Sequence, residues 1–174
     1  MIKLFISSVF VVLLIGCASP ATQQAMSVAP QDLPSKSNPN LRGQMIVGNV
    51  TGGKETNPMW TSQVDAQSFK GALDKSVAMA GYKAVDAGVA KYRIDAHLND
   101  LGQPMFGFTF DVVSTVLYTV TFDGKPNQFP ITATGTATVS DAFAGIERLR
   151  IANERSIKEN LKQFLQRVSE QIRW

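Results

Sequence analysis

The stretch FGFTFDVVSTVLYTVTFDGKPNQFPITATGTATV, residues 106–139, decides the fold of this chain. Apolar residues occupy its even-numbered positions from Phe106 to Phe122, with Ser114 the exception, and polar residues, mainly threonine, occupy most of the positions between them. This alternation predicts a long strand with one buried face. The sequence DGKP at 123–126 predicts a hairpin turn, and alternation resumes from Phe129 to Val139. We therefore expect two neighbouring antiparallel strands.

Two details of this hairpin predict how it packs. A strand from 106 to 122 is far longer than the usual five or six residues, so we expect it to bend or bulge, with Ser114 as the place. The buried face of the return strand carries small residues, Ala133, Gly135 and Ala137. Small side chains leave room for a helix to approach closely, or for the aromatic rings of the neighbouring strand.

The rest of the folded part follows from shorter patterns. Residues 41–50 and the alternating stretch 92–98 predict two more strands. A helix is expected from a cap at Thr61 or Ser62 to Gly81, which supplies a left-handed end. The final segment, 145–174, has apolar residues at helical spacing and charge pairs on its other face, such as Arg150 with Glu154 and Arg155 with Glu159.

The order is therefore strand, helix, three strands and helix. It predicts an α+β two-layer sandwich, in which two helices pack on one face of a mostly antiparallel sheet of about four strands. The outward-facing threonines suit a sheet with one wet side. From 41 to 174 there are enough residues for one domain with a core of its own.

The amino-terminal residues predict export from the cytoplasm. Lys3 is followed by an apolar run from Val9 to Ile15 and then by Gly16, which is the layout of a signal peptide over residues 1–16. The run is shorter than the roughly 20 apolar residues that a membrane-spanning helix needs. Leu14-Ile15-Gly16-Cys17 resembles the lipobox of bacterial lipoproteins, and Cys17 is the only cysteine of the chain. The resemblance implies cleavage before Cys17 and its acylation with diacylglycerol and an N-acyl chain such as palmitate.

Lipidation would hold the protein on a membrane without spanning it, since two or more acyl chains give stable anchoring. In enteric lipoproteins an Asp after the cysteine signals retention in the inner membrane, whereas this chain has Ala18. The resemblance therefore implies the outer membrane, with the domain facing the periplasm. Residues 17–40 hold four of the eight prolines and few large apolar residues, so we expect an acylated cysteine followed by a disordered tether, with a single globular domain over 41–174.

Behind the lipobox, the order of elements resembles small periplasm-facing lipoproteins of the YajG and LptE kind and the auxiliary lipoproteins of ABC transport systems. The final helix is also similar to that of uncharacterised proteobacterial lipoproteins. The resemblance covers the architecture, and only the lipobox is a motif match. It implies a protein that binds other envelope components, and it brings no active-site residue to carry over.

Charge and motifs narrow the function classes. Loss of Lys3 changes 17 basic and 14 acidic side chains to 16 and 14, a net charge of +2, which argues against nucleic-acid binding. The stretch GNVTGGKE at 48–55 approaches a phosphate-binding loop, but Glu55 stands where a Ser or Thr is needed, so a flexible turn is expected. His97 beside Asp95 allows an acid–base pair or a surface ion pair. We predict no enzyme, no catalytic residue, no metal site and no cofactor other than the lipid on Cys17.

Five residues are candidates for partner binding. Met59, Trp60, Met105 and Phe106 are large apolar residues beside predicted loops, where exposed patches mark contact surfaces, although such residues also pack over core edges. Asn153 lies in the apolar stripe of the final helix and must find hydrogen-bond partners. Its amide would bond to the backbone of a neighbouring strand or loop, or make a polar contact with a partner or ligand. The basic side chains of this helix would form an ordinary solvated face or rest on anionic lipid.

These observations predict an outer-membrane lipoprotein that is a non-enzymatic accessory component in cell-envelope assembly, transport or maintenance. Its partners would be outer-membrane lipid through the acyl anchor and an envelope protein. The alternative is a periplasmic carrier or sensor of a lipid or glycan, which would use the space between the sheet and the helices.

Overall fold

The computed structural model describes residues 18–33, 37–59 and 61–172. The predicted signal peptide, Cys17 and Trp60 lie outside the described residues. Within these described ranges, one mixed sheet and three α-helices make up most of the regular structure, so the predicted α+β class is confirmed. The elements are α1 (Gln23–Met26), β1 (Met45–Gly52), α2 (Ala66–Met79), β2 (Tyr92–Gly102), β3 (Phe110–Phe122), β4 (Lys125–Ala137) and α3 (Gly145–Gln171).

The four strands lie in the order β1-β2-β3-β4. β1 runs parallel to β2, with Met45 opposite Tyr92, because α2 carries the chain back across the sheet between them. β2, β3 and β4 form an antiparallel meander, and Phe110 of β3 pairs with Ala137 of β4. The turn at Asp123-Gly124 has positive φ at both residues, 47° and 71°, as a two-residue hairpin turn requires.

The inner face of the sheet packs against α2 and α3. The ring of Tyr118 stacks on that of Phe164 with centroids 4.0 Å apart, and Phe129 meets Phe164 edge to face. Gly135 lies where α3 comes closest, because a Cβ there would clash with the backbone of Ala152 and Ser156. The predicted close approach of a helix to the small residues of β4 is thus confirmed.

Ser114 does not mark a bulge, contrary to the prediction. It is fully buried and paired in register with Ala133, and its hydroxyl is bonded to that of Ser156 at 2.8 Å. Asn160 of α3 donates to the Ser114 carbonyl and accepts from the Tyr118 hydroxyl, which satisfies these polar groups in the core. The irregularities lie instead between Leu98 and Asp100 of β2 and between Val47 and Val50 of β1.

The prediction of a disordered tether is wrong for the described part of residues 18–40. Ala21, Met26 and Val28 are buried in the main core, and Leu41 joins them. The Ala21 amide donates to the Gln63 carbonyl, and the Val28 amide donates to the Ser76 hydroxyl. Pro30 and Pro39 each open a short 3₁₀ turn, Pro30–Asp32 and Pro39–Leu41. The folded domain therefore includes described residues before 41.

Three smaller predictions are also corrected. α2 is capped by Asp65, whose carboxylate accepts from the Ser68 amide, whereas Ser62 is buried before the helix. β3 starts at Phe110 and not at Phe106. Arg155 pairs with Asp141 rather than with Glu159, although the predicted pair of Arg150 with Glu154 is present.

Candidate functional site

Three loops meet at one end of the sandwich, and we call this region the loop end. The parallel strands β1 and β2 both finish there, β3 starts there and β4 finishes there. The connections at this end are residues 53–65, 103–109 and 138–144. The opposite end carries the connection 80–91 and the turn at 123–124.

The loop end exposes large apolar side chains from all three connections. Met59 comes from the first, Met105, Phe106 and Phe108 from the second, and Phe143 from the third, each between 78% and 95% exposed. The phenylalanines exposed within the described ranges all belong to this group. Isolated exposed apolar residues are ordinary, but such a group on one side of a molecule is typical of a contact surface.

The sequence predicted three of these positions, since Met59, Met105 and Phe106 were candidates; Trp60 lies outside the described residues. It missed Phe108 and Phe143. Phe108 was assigned to the inner face of a strand because the alternation of aromatics runs on past the strand's true start at Phe110. Pro104 and Gly107 were the available signals that this stretch is a loop.

Asn153 does not contact a partner at the surface, because it is fully buried. Its amide nitrogen donates to the Ser62 carbonyl at 3.0 Å, and its oxygen accepts from Gln103 at 2.8 Å. Gln103 also donates to the Ser62 carbonyl and accepts from Gln63. The alternative of an amide tied to a loop backbone is confirmed. Asn153 thereby joins α3 to the first and second loops of the loop end.

Arg148 makes the corresponding connection between the second and third loops. Its guanidinium donates to the carbonyl oxygens of Ala142, Phe143 and Gly107 at 2.6 to 3.1 Å, and it lies over the ring of Phe110. The side chain is almost completely buried. The exposed phenylalanines therefore lie on loops whose backbones are held by hydrogen bonds from buried side chains.

The chain enters the fold at this same end. Ala18, only 6% exposed, donates its amide to the Pro58 carbonyl at 2.8 Å, and the Ser62 hydroxyl donates to the Ser19 carbonyl. The residue that follows Cys17 is thus held one position from exposed Met59. Four residues later, Thr22 donates through both its amide and its hydroxyl to the buried carboxylate of Glu154, which also pairs with Arg150.

The second loop, which carries three of the exposed apolar side chains, is uncharged, whereas the first loop carries Lys54, Glu55 and the helix-capping Asp65. Residues 101–110 contain no charged side chain. On the third loop, Asp141 is paired with Arg155 at 2.6 Å and accepts from the Thr138 amide, and these contacts hold the pKa of Asp141 well below its usual range. The hydrogen bond from Arg150 likewise lowers the pKa of Glu147. Both carboxylates are compensated within the fold.

The other residues weighed in the sequence have structural partners. His97 is bonded through Nδ1 to the Thr51 hydroxyl at 2.8 Å, while Asp95 accepts from the Asn49 amide and pairs with Arg93. In the glycine stretch, Gly52 and Gly53 have φ near 78°, and α2 starts only at Ala66. This stretch therefore ends β1 in a glycine turn and does not lead directly into a helix.

The basic side chains of α3 are paired with neighbours. Lys158 meets Asp32 at 2.7 Å, Lys162 meets Glu159, and Arg167 donates to the Pro130 carbonyl. Together with the pairs of Arg150 and Arg155, this fits the solvated face that was one of the two expectations. Within residues 18–33, 37–59 and 61–172, no group of three or more His, Cys, Asp or Glu side chains is arranged to hold a metal ion. Among these residues no helix combines the length and apolar character of a membrane span.

Comparison with known proteins gives fold likeness at low identity. No family model matches the chain, and no curated protein matches it. A putative lipoprotein from Caulobacter crescentus is similar in structure, with TM-score 0.48 and 12% identity over 73% of this chain and 87% of that one. A hypothetical protein from Chlamydia trachomatis has TM-score 0.47 and 7% identity over 75% and 95% of the two chains. A DUF330 protein from Xanthomonas campestris has TM-score 0.47 and 12% identity over 87% and 81%. At these values, the likeness carries no conclusion about function.

Proposed function

We propose that this protein is an outer-membrane-anchored lipoprotein whose domain is a non-enzymatic accessory component of the cell envelope. The lipobox-like residues Leu14-Ile15-Gly16-Cys17 support the anchor. The observation that carries the binding role is the loop end, where exposed methionine and phenylalanine side chains stand on fixed loops beside Ala18, the first residue after the predicted lipid attachment.

The bracing of the loop end supports binding rather than chance exposure. Asn153 and Arg148 use buried hydrogen bonds to hold the three loops, so the backbones that carry the exposed phenylalanines are ordered before any contact is made. A preorganised surface loses less conformational freedom on binding than a mobile one. Exposing these side chains to water is unfavourable, and a contact that covers them recovers this free energy.

The alternative of a lipid or glycan carrier is less well supported. A carrier of this kind would hold its ligand between the sheet and the helices. That space is filled by the ring of Phe164, which contacts the rings of Tyr118 and Phe129. On the β4 side, the backbone of α3 lies directly against Gly135. A ligand there would have to displace the core.

The anchor is tested by Cys17→Ala in the native host. Without the acylated thiol, we expect the protein to leave the membrane fraction, whereas Ser8→Ala, which keeps the lipobox, should leave it membrane-bound. Immunoblots of separated inner-membrane, outer-membrane and soluble fractions measure this. Equal membrane retention of the Cys17→Ala variant would contradict the proposal.

The envelope-protein partner is tested by crosslinking in cells. Photoreactive residues placed on the wet sheet face, for instance at Thr119 and Thr134, at the loop-end position Phe106 and at Val85 in the connection 80–91 sample different surfaces of the domain. We expect at least one position to capture a defined envelope protein, identified by mass spectrometry. Adducts to lipid alone, or no adducts at any position, would contradict the partner.

A further inference from the structure

We propose that the loop end is a bilayer-contacting surface: Met59, Met105, Phe106, Phe108 and Phe143 insert into the headgroup region of the membrane that holds the protein's own acyl anchor. The inference rests on the proposed lipidation of Cys17. It assigns the partner of the loop end, which is lipid.

The first step is the absence of slack between the proposed anchor and the fold. Consecutive Cα atoms are about 3.8 Å apart, so the acylated residue lies one such step from Ala18. Ala18 is hydrogen-bonded to Pro58, and Ser19 to Ser62, so the chain is fixed to the first loop from its first described residue. A lipid attached there brings the surrounding surface against the bilayer, whereas a disordered tether would have left it free.

The second step is the chemistry of that surrounding surface. The hydrogen bonds of Asn153 hold the second loop beside the first. Those of Arg148 hold the third loop beside the second. The exposed apolar side chains of these loops are phenylalanine and methionine, and residues 101–110 bring no charge to be dehydrated. Amphipathic helices that lie in a membrane interface bury their apolar faces about 5–10 Å into the headgroup and acyl boundary, and the exposed side chains of the loop end have the same chemistry.

The third step is the contrast with the opposite end. Val85, in the connection between α2 and β2, is 98% exposed, and its neighbours include Lys83, Asp86 and Lys91. Among the described residues, exposed aromatic rings are gathered at the loop end, and the connection 80–91 carries none. If the loop end meets the bilayer, the far end projects into the periplasm and is free for a protein partner.

The test uses the full mature protein, purified with its acyl anchor and reconstituted in vesicles of phosphatidylethanolamine and phosphatidylglycerol. Because acylation blocks the Cys17 thiol, an introduced cysteine is the sole free thiol for an environment-sensitive fluorophore. Labels at Phe106→Cys and Phe143→Cys probe the loop end, and Val85→Cys is the control of equal exposure at the far end. Quenching by nitroxide groups on the lipid chains reports depth.

We expect quenching at the two loop-end positions to exceed that at Val85→Cys by about twofold or more, with a blue-shifted emission, as for side chains within the interface. Equal, weak quenching at all three positions, in protein that is acylated and floats with the vesicles, would overturn this inference and leave the anchor intact. Unacylated protein that does not float would instead defeat the proposed function. Weak quenching at Phe106→Cys together with its crosslinking to an envelope protein in cells would assign the surface to that protein.

Discussion

Asn153 shows how one buried amide serves the loop end. The sequence placed it in the apolar stripe of α3 and required partners for it, but it did not say which. The structure supplies the Ser62 carbonyl and the Gln103 amide, from segments 91 and 50 residues away. Pairings at such separations leave no local pattern in the sequence, so the need for partners was predictable and their identity was not.

Asn153→Ala is expected to destabilise the protein by about 1–3 kcal/mol, because it removes two buried hydrogen bonds, although the Ser62 carbonyl and the Gln103 amide keep their bond to each other. The free energy of unfolding in urea measures this. The control is Asn99→Ala at an exposed position of β2, which should change stability by no more than about 0.5 kcal/mol. Equal, small effects of the two substitutions would show that the hydrogen bonds of Asn153 add nothing to stability.

At the scale of elements, periodic patterns were read correctly where one face is buried along the whole segment. β2 and β4 alternate as predicted, and α3 buries Leu149, Ile157 and Leu161 at helical spacing. The wrong predictions concern segments whose buried residues do not recur at helix or strand spacing. Met26 and Val28 stand among prolines and polar residues, so nothing local showed that the segment after Cys17 packs into the core. Phe106 and Phe108 gave the opposite error, because their spacing continues the alternation of β3 and predicts burial, whereas they lie exposed in a loop.

Because residues 18–33 are packed against the domain, substitutions in them should affect stability, whereas substitutions in a disordered tether would not. Met26→Ala should destabilise the domain by about 2–5 kcal/mol, since its side chain is fully buried in the main core. Gln24→Ala, at an exposed position of the same short helix, should have little effect. Denaturant unfolding measures both, and hydrogen exchange should show protection at the Ala21 and Val28 amides. If Met26→Ala leaves the unfolding free energy unchanged and the Ala21 and Val28 amides exchange without protection, the segment is a disordered tether after all.

The contact between α3 and β4 is a second test of the element packing. Gly135→Ala would place a Cβ against the backbone of Ala152 and Ser156, and neither can move aside without shifting the helix. We expect a loss of about 1–3 kcal/mol in unfolding free energy, as in other overpacked cores. Gly145→Ala is the matched control, because its Cβ would meet its nearest neighbour at 3.6 Å. A Gly135→Ala variant as stable as the control would contradict the close approach.

At the scale of the whole molecule, the account joins two observations from different parts of the chain. The lipobox-like residues precede the fold, and the structure shows that the chain is fixed to the loop end from Ala18 onward. If Cys17 carries lipid, the orientation of the domain follows from its covalent structure, with the loop end toward the bilayer and the connection 80–91 away from it. The sequence alone predicted the anchor but, because it predicted a tether, could not predict the orientation.

The most direct test of this account is the intact mass of the protein extracted from the membranes of its native host. The account predicts a chain that starts at Cys17, lacks residues 1–16 and carries the added mass of acyl chains on the cysteine. An intact chain that still starts at Met1, recovered from the soluble fraction with a free Cys17 thiol, would contradict it.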